Sequence, residues 1–188
     1  MKILVIAGSV AGNKTRLVTE YAFQKLTDLD PDHQVTFLNL ADYNLSMSDG
    51  RNYLDYSGDT GKVAKELMDS EVIVLGSPIF QASIPGALKN LLDLLPTDGL
   101  RDKVVGLIIT AGSQRHNLVP EYQFKPILHY LKAQVLDTYV FIEDRDFQAK
   151  AIANDDVYFR IDRMIDDLMT LAQVSSQVRE QQDAKYGF

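Results

Sequence analysis

Four short apolar runs restrict what this chain can fold into: Ile3–Ala7, Val35–Leu40, Val72–Gly76 and Val104–Thr110. Each is rich in β-branched residues, and each is continuous rather than alternating. A continuous run implies a strand covered on both faces, as in a parallel sheet. A looser fifth run spans Val135–Ile142. Segments of helical period separate them: Thr15–Thr27, Lys62–Ser70, Ile84–Leu95 and Val119–Lys132. A last helical stripe, Val157–Ala172, carries Val157, Ile161, Met164, Ile165, Leu168 and Leu171. Strand–helix alternation repeated five times means α/β.

Right-handed crossovers leave few topologies. The expected architecture is a flavodoxin-like three-layer sandwich: a five-stranded parallel sheet in order 2-1-3-4-5 with helices on both faces. With 188 residues, one domain over 1–175 and a polar tail over 176–188 are expected. Segment 41–59 is polar and reads as a surface loop. The chain has no cysteine, which excludes disulfides, thiolate metal sites and a Cys nucleophile. Its net charge of −7 disfavours nucleic acid and anionic membrane as partners. Without a signal-like or membrane-length apolar segment, a cytoplasmic location is expected.

In this order a ligand lies outside the carboxyl ends of strands 1, 3 and 4. The loops there are Gly8–Lys14, Ser77–Ser83 and Ala111–Leu118. The first is a Gly-rich turn that opens a helix, so backbone N–H groups and the helix dipole favour an anion. Ser9 and Thr15 add hydroxyls; Lys14 and Arg16 add charge. The pattern nearly makes a nucleoside-triphosphatase loop, but Asn13 stands where the second Gly belongs. Strand 3 ends Gly76-Ser77-Pro78, without the Asp that would hold magnesium. In the second loop Pro78 stiffens the exit, and Phe80 and Gln81 stand at the rim, a flat edge suited to an aromatic ring. Ser83 and Pro85 are expected to cap and start the next helix. In the third loop Gly112 permits close backbone approach, while Ser113, Gln114 and His116 supply donors. One phosphate corner beside two ring-contacting loops indicates FMN. No metal-ligand spacing or nucleophile elbow appears.

The run from Gly76 to Pro96, GSPIFQASIPGALKNLLDLLP, resembles the central motif of NAD(P)H-dependent FMN reductases. Gly8-Ser9 with Thr15-Arg16-Leu17 is similar to that family's phosphate loop. Lys103–Leu107, Gly112–His116, Glu121–Pro126 and Leu131–Gln134 are similar to the FMN reductases of two-component alkanesulfonate monooxygenase systems. The phosphate loop is shorter here, and 41–59 and the residues beyond Asp144 match less well. The resemblance implies hydride transfer from NADPH or NADH to flavin N5. It places Ser9, Thr15 and Arg16 on the FMN phosphate, Pro78, Ile79, Phe80 and Gln81 along the ring, and Gly112, Ser113 and His116 opposite. With Asn13, Lys14 and Ala111 from the same loops, these are the candidate site residues. An FMN-containing quinone or azo-compound reductase and a flavodoxin-type carrier without a nicotinamide site fit the same motifs. A flavin-dependent monooxygenase is the implied recipient of reduced flavin.

Tyr122 matches a tyrosine that, in the sulfonate-linked reductases, sits in a π-bulge at a subunit interface. Pro126 has no N–H to give the Tyr122 carbonyl, so a distortion is expected near 122–126. The leucines of Ile84–Leu95 (Leu88, Leu91, Leu92, Leu94 and Leu95) form a stripe wider than one sheet contact needs. From it a homodimer or homotetramer is expected.

Overall fold

The computed structural model describes residues 1–186. Strand β1 (Lys2–Ala7) leads into helix α1 (Lys14–Leu29), then β2 (Gln34–Asn39), α2 (Gly58–Asp69), β3 (Val72–Pro78), α3 (Gly86–Asp93) and β4 (Val104–Ala111). A π-helical turn, Pro120–Phe124, runs into α4 (Lys125–Tyr130). Short strands β5 (Gln134–Val135) and β6 (Val140–Glu143) follow, then a two-stranded ribbon, β7 (Phe147–Gln148) with β8 (Ala151–Ile152), and α5 (Asp155–Tyr186). The main sheet is parallel throughout, in the order β2-β1-β3-β4-β5, as expected.

Alternation within the apolar runs divides the core in two. Leu4, Ile6, Ile73, Leu75, Val105, Leu107 and Ile109 face α2, α3 and α4. Ile3, Val5, Val72, Val74, Val104 and Ile108 face α1 and α5. Both sheet faces are therefore covered, which is why the strands are apolar at consecutive positions.

The fifth run differs from the single strand expected. It forms two pieces, β5 and β6, both paired with β4. Lys125 on α4, 8% exposed, donates to the Asp137 carbonyl at 2.6 Å and pairs with Glu121 at 2.7 Å. That carbonyl is thereby taken up outside the sheet, and residues 137–139 leave the ladder after Leu136 N–H has bonded the Val105 carbonyl at 2.9 Å. The polar tail also differs: α5 continues through it to Tyr186. Ser175 Oγ donates to Gln134 Oε1 at 2.7 Å, and Arg179 Nη1 to the Asp102 carbonyl at 2.7 Å, tying the extension to the body. Residues 187–188 of that segment lie outside the described residues.

Segment 41–59 is a loop with two short 3-10 turns. It is strapped down by buried Asn90 of α3, which accepts from Ser48 N–H at 2.8 Å and donates to the Ser46 carbonyl at 2.9 Å. The distortion expected near 122–126 is present, at Pro120–Phe124: Lys125 N–H bonds the Pro120 carbonyl, five residues back. All five leucines of the α3 segment are buried within the chain itself, so the width of that stripe is no argument for a partner. Tyr122 and Tyr130 of the next segment stand 74% and 70% exposed. Among the described residues no helix is long and apolar enough to cross a membrane.

Candidate active site

The carboxyl ends of β1, β3 and β4 open on a cleft of about 300 Å³, lined by Ala11, Gly12, Asn13, Lys14, Thr15, Pro78, Ile79, Phe80, Thr110, Ala111, Gly112 and Asp144. Its floor is set by buried hydroxyls, with Thr15 Oγ1 2.7 Å from Thr110 Oγ1. One wall is the start of α1. No side chain caps this helix, and the first helix-start amide with a backbone acceptor is Leu17 N–H, bonded to the Asn13 carbonyl at 2.9 Å. The amides of Lys14, Thr15 and Arg16 therefore remain open to a ligand at the positive end of the helix dipole. Gly12, at φ +77, turns the chain where a Cβ would strain it.

The facing wall is the exit of β3. Phe80 and Ser83 exchange backbone hydrogen bonds at 3.1 and 2.9 Å, making a two-residue hairpin. Its central residues, Gln81 (φ 49) and Ala82 (φ 59), are both left-handed. Such a turn prefers Asn-Gly, so this one is strained. Gln123, from the π-turn, brackets it: Ser83 Oγ donates to Gln123 Oε1, and Gln123 Nε2 to the Ala82 carbonyl at 3.2 Å. Ser83 is thus used here and not as a helix cap, and Pro85 occupies the N-cap position of α3. The strain has a measurable consequence. Ala82→Gly should raise stability by about 0.5–1 kcal/mol, read as a higher melting temperature. A lower one would contradict it.

The third wall is Ala111-Gly112 at the end of β4. A Cβ built on Gly112 meets no atom within 4 Å, so the backbone there borders open space.

Of the thirteen sequence candidates, eight line the cleft: Asn13, Lys14, Thr15, Pro78, Ile79, Phe80, Ala111 and Gly112. Ser9 is turned inward, its hydroxyl bonded to the Ala11 carbonyl at 2.5 Å. Arg16 is exposed and bonded to Glu20 at 2.7 Å, and that hydrogen bond pushes its already high pKa further up. Gln81, Ser113 and His116 stand beside the cleft rather than in its lining. The sequence reading did not single out Ala11, Gly12, Thr110 or Asp144. Thr110 had a signal, being the one polar residue of an otherwise apolar strand. Asp144 is brought in by β6 and meets Lys14 at 2.8 Å. Among the described residues no cluster of His, Asp and Glu could hold a metal.

The family model described as NADPH-dependent FMN reductase matches residues 1–148. The chain belongs to this family. An NAD(P)H-dependent FAD/FMN reductase of Geobacillus thermodenitrificans is 38% identical over 80% of this chain and 81% of its own. An NADPH-dependent FMN reductase of Escherichia coli is 33% identical over 77% and 74%. Among solved structures, an NADH:FMN oxidoreductase in its apo form superposes with a TM-score of 0.74 at 26% identity, covering 89% of this chain and 87% of that one. The cleft's donor set fits FMN: a single cradle of free amides with Thr15 and Lys14 for one phosphate, and a flat wall beside open backbone for a ring.

Proposed function

We propose that this oxidoreductase, an NAD(P)H-dependent FMN reductase like its family, holds FMN in the cleft at the carboxyl ends of β1, β3 and β4. The observation that carries this is the start of α1, where three amides without acceptors stand beside Thr15 and Lys14. A mononucleotide needs one such cradle, and the lining supplies one. Bound there, the flavin supplies the hydride-accepting atom, and the protein contributes binding and orientation. Phe80, 40% exposed, would offer the ring an apolar surface, and the Ala111-Gly112 backbone would hold its polar edge. Hydride transfer draws no proton from the protein. This agrees with a lining whose ionisable groups are Lys14 and Asp144.

Ser9 and Arg16 would join the phosphate site only by exchanging their present partners, and Gln81, Ser113 and His116 would close over the ring from the rim. Assembly as a homodimer or homotetramer through the Tyr122–Tyr130 face, a cytoplasmic setting, and delivery of reduced flavin to a flavin-dependent monooxygenase belong to the same reading. It is supported by the exposed tyrosines and by the family.

Anaerobic mixing of protein and FMN with NADPH or NADH tests it. Bleaching of the flavin's visible absorbance should be far faster than in the protein-free mixture with at least one nucleotide. No acceleration with either would contradict the activity.

A further inference from the structure

Both cations of the phosphate corner are held by carboxylates. Arg16 Nε lies 2.7 Å from Glu20 Oε1, and Lys14 Nζ lies 2.8 Å from Asp144 Oδ1. In the cleft lining Lys14 is the only cation and Asp144 the only anion. An FMN phosphate brings a charge of about −1.5 to −2 into that corner. It meets Lys14 only by displacing or sharing with Asp144, and it feels that carboxylate's repulsion while doing so.

Asp144 is held where it stands. Glu143, at the end of β6, pairs with Ala111 of the cleft wall. The following 3-10 turn, Asp144–Asp146, is locked by Asp146, which is 7% exposed. Its carboxylate accepts from Glu143 N–H at 2.9 Å and from Asn154 Nδ2 at 2.8 Å. Arg145 is drawn off onto Glu143 at 2.7 Å, so no cation of the turn neutralises Asp144. Lys14 is steadied by the same loop, its ammonium 5.5 Å from the centre of the Phe147 ring. The pair itself is half-exposed, 43% and 55%, so it contributes little to folding. Its position at the mouth of the cleft is then the more informative property.

We propose that Asp144 competes with the flavin phosphate for Lys14 and so keeps FMN exchangeable, a substrate that leaves after reduction rather than a resident group. The proposal rests on the reading of this cleft as the FMN site. Asp144 acts on the phosphate end alone, so its effect falls on FMN and not on riboflavin, which has the same ring without the phosphate. A carboxylate that merely braced the β6 turn against α1 would alter both flavins alike.

The test is a fluorescence-quenching titration of the wild-type protein and Asp144→Asn with FMN and with riboflavin at low ionic strength. Circular dichroism confirms the fold, and Asp144→Ala serves as a second variant. Asp144→Asn should bind FMN roughly tenfold more tightly and release it more slowly, with riboflavin affinity unchanged. An FMN-to-riboflavin ratio equal to wild type, or a weaker one, would overturn the role of Asp144 while leaving the cleft assignment standing. Failure of both proteins to bind either flavin would overturn the cleft assignment and this role with it.

Discussion

Gly112→Leu should remove most FMN binding and leave the fold intact. Gly112 ends the β4 wall, and an added Cβ would meet no atom within 4 Å. The folded chain thus accepts a side chain there at a cost within about 0.5 kcal/mol. The ligand does not. A leucine would occupy part of a cleft of about 300 Å³, in the space that the proposed flavin ring would fill. Forcing atoms into a close-packed contact costs about 1–3 kcal/mol, which is roughly a 5- to 150-fold loss of affinity. Gly112→Ala should show a smaller loss in the same direction. The measurement is an FMN titration beside a thermal melt. An unchanged titration with Leu would take Gly112 out of the site, and a collapsed melt would show that the space is needed by the fold instead.

Gly76→Ala should do the opposite and damage the scaffold first. A Cβ on Gly76 would lie 2.1 Å from Thr19 Cγ2, 3.0 Å from the Ile6 carbonyl and 3.3 Å from Thr15 Cγ2. Thr19 is fully buried, and its hydroxyl bonds the Thr15 and Arg16 carbonyls at 2.8 and 2.9 Å, so it cannot swing aside freely. The added methyl group therefore pushes α1 away from β3. The expected loss is about 1–3 kcal/mol, and a chain of this size loses roughly 2–4 °C of melting temperature per kcal/mol. Because α1 carries the open amides of the phosphate corner, FMN affinity should fall as well. Adding Thr19→Ala should recover part of the melting temperature. A Gly76→Ala protein that melts like wild type would contradict this packing.

Strands β1, β3 and β4 were legible because each is buried on both faces, and the sequence records that burial directly; β2, at the sheet edge, is partly exposed along its first four residues. The handedness of crossovers narrowed the strand order to a few choices, of which the flavodoxin-like order fitted best, and the cleft position followed from that order. A helix distortion was legible from Pro126, which removes the donor that a regular helix would need, while its π form was expected only from the resemblance at Tyr122. Other features depend on contacts between distant residues. The break between β5 and β6 requires Lys125 to reach Asp137 from another element, and an apolar run holds no sign of that. Asp144 lies far along the chain from the phosphate loop and reaches it only because β6 pairs with β4. Ser83 has the residue type of a helix cap, yet Gln123 takes its hydroxyl. The extension of α5 past Ala172 has no apolar stripe to announce it. Val174 and Val178 are exposed, and the helix continues on the propensity of Gln, Arg, Glu and Ala together with two ties to the body.

The cleft assignment is tested most directly by a crystal structure of the protein with FMN. The account predicts one phosphate on the amides of Lys14, Thr15 and Arg16, with the ring between the Phe80 hairpin and the Gly112 backbone. FMN bound elsewhere, or with its phosphate away from the start of α1, would contradict it.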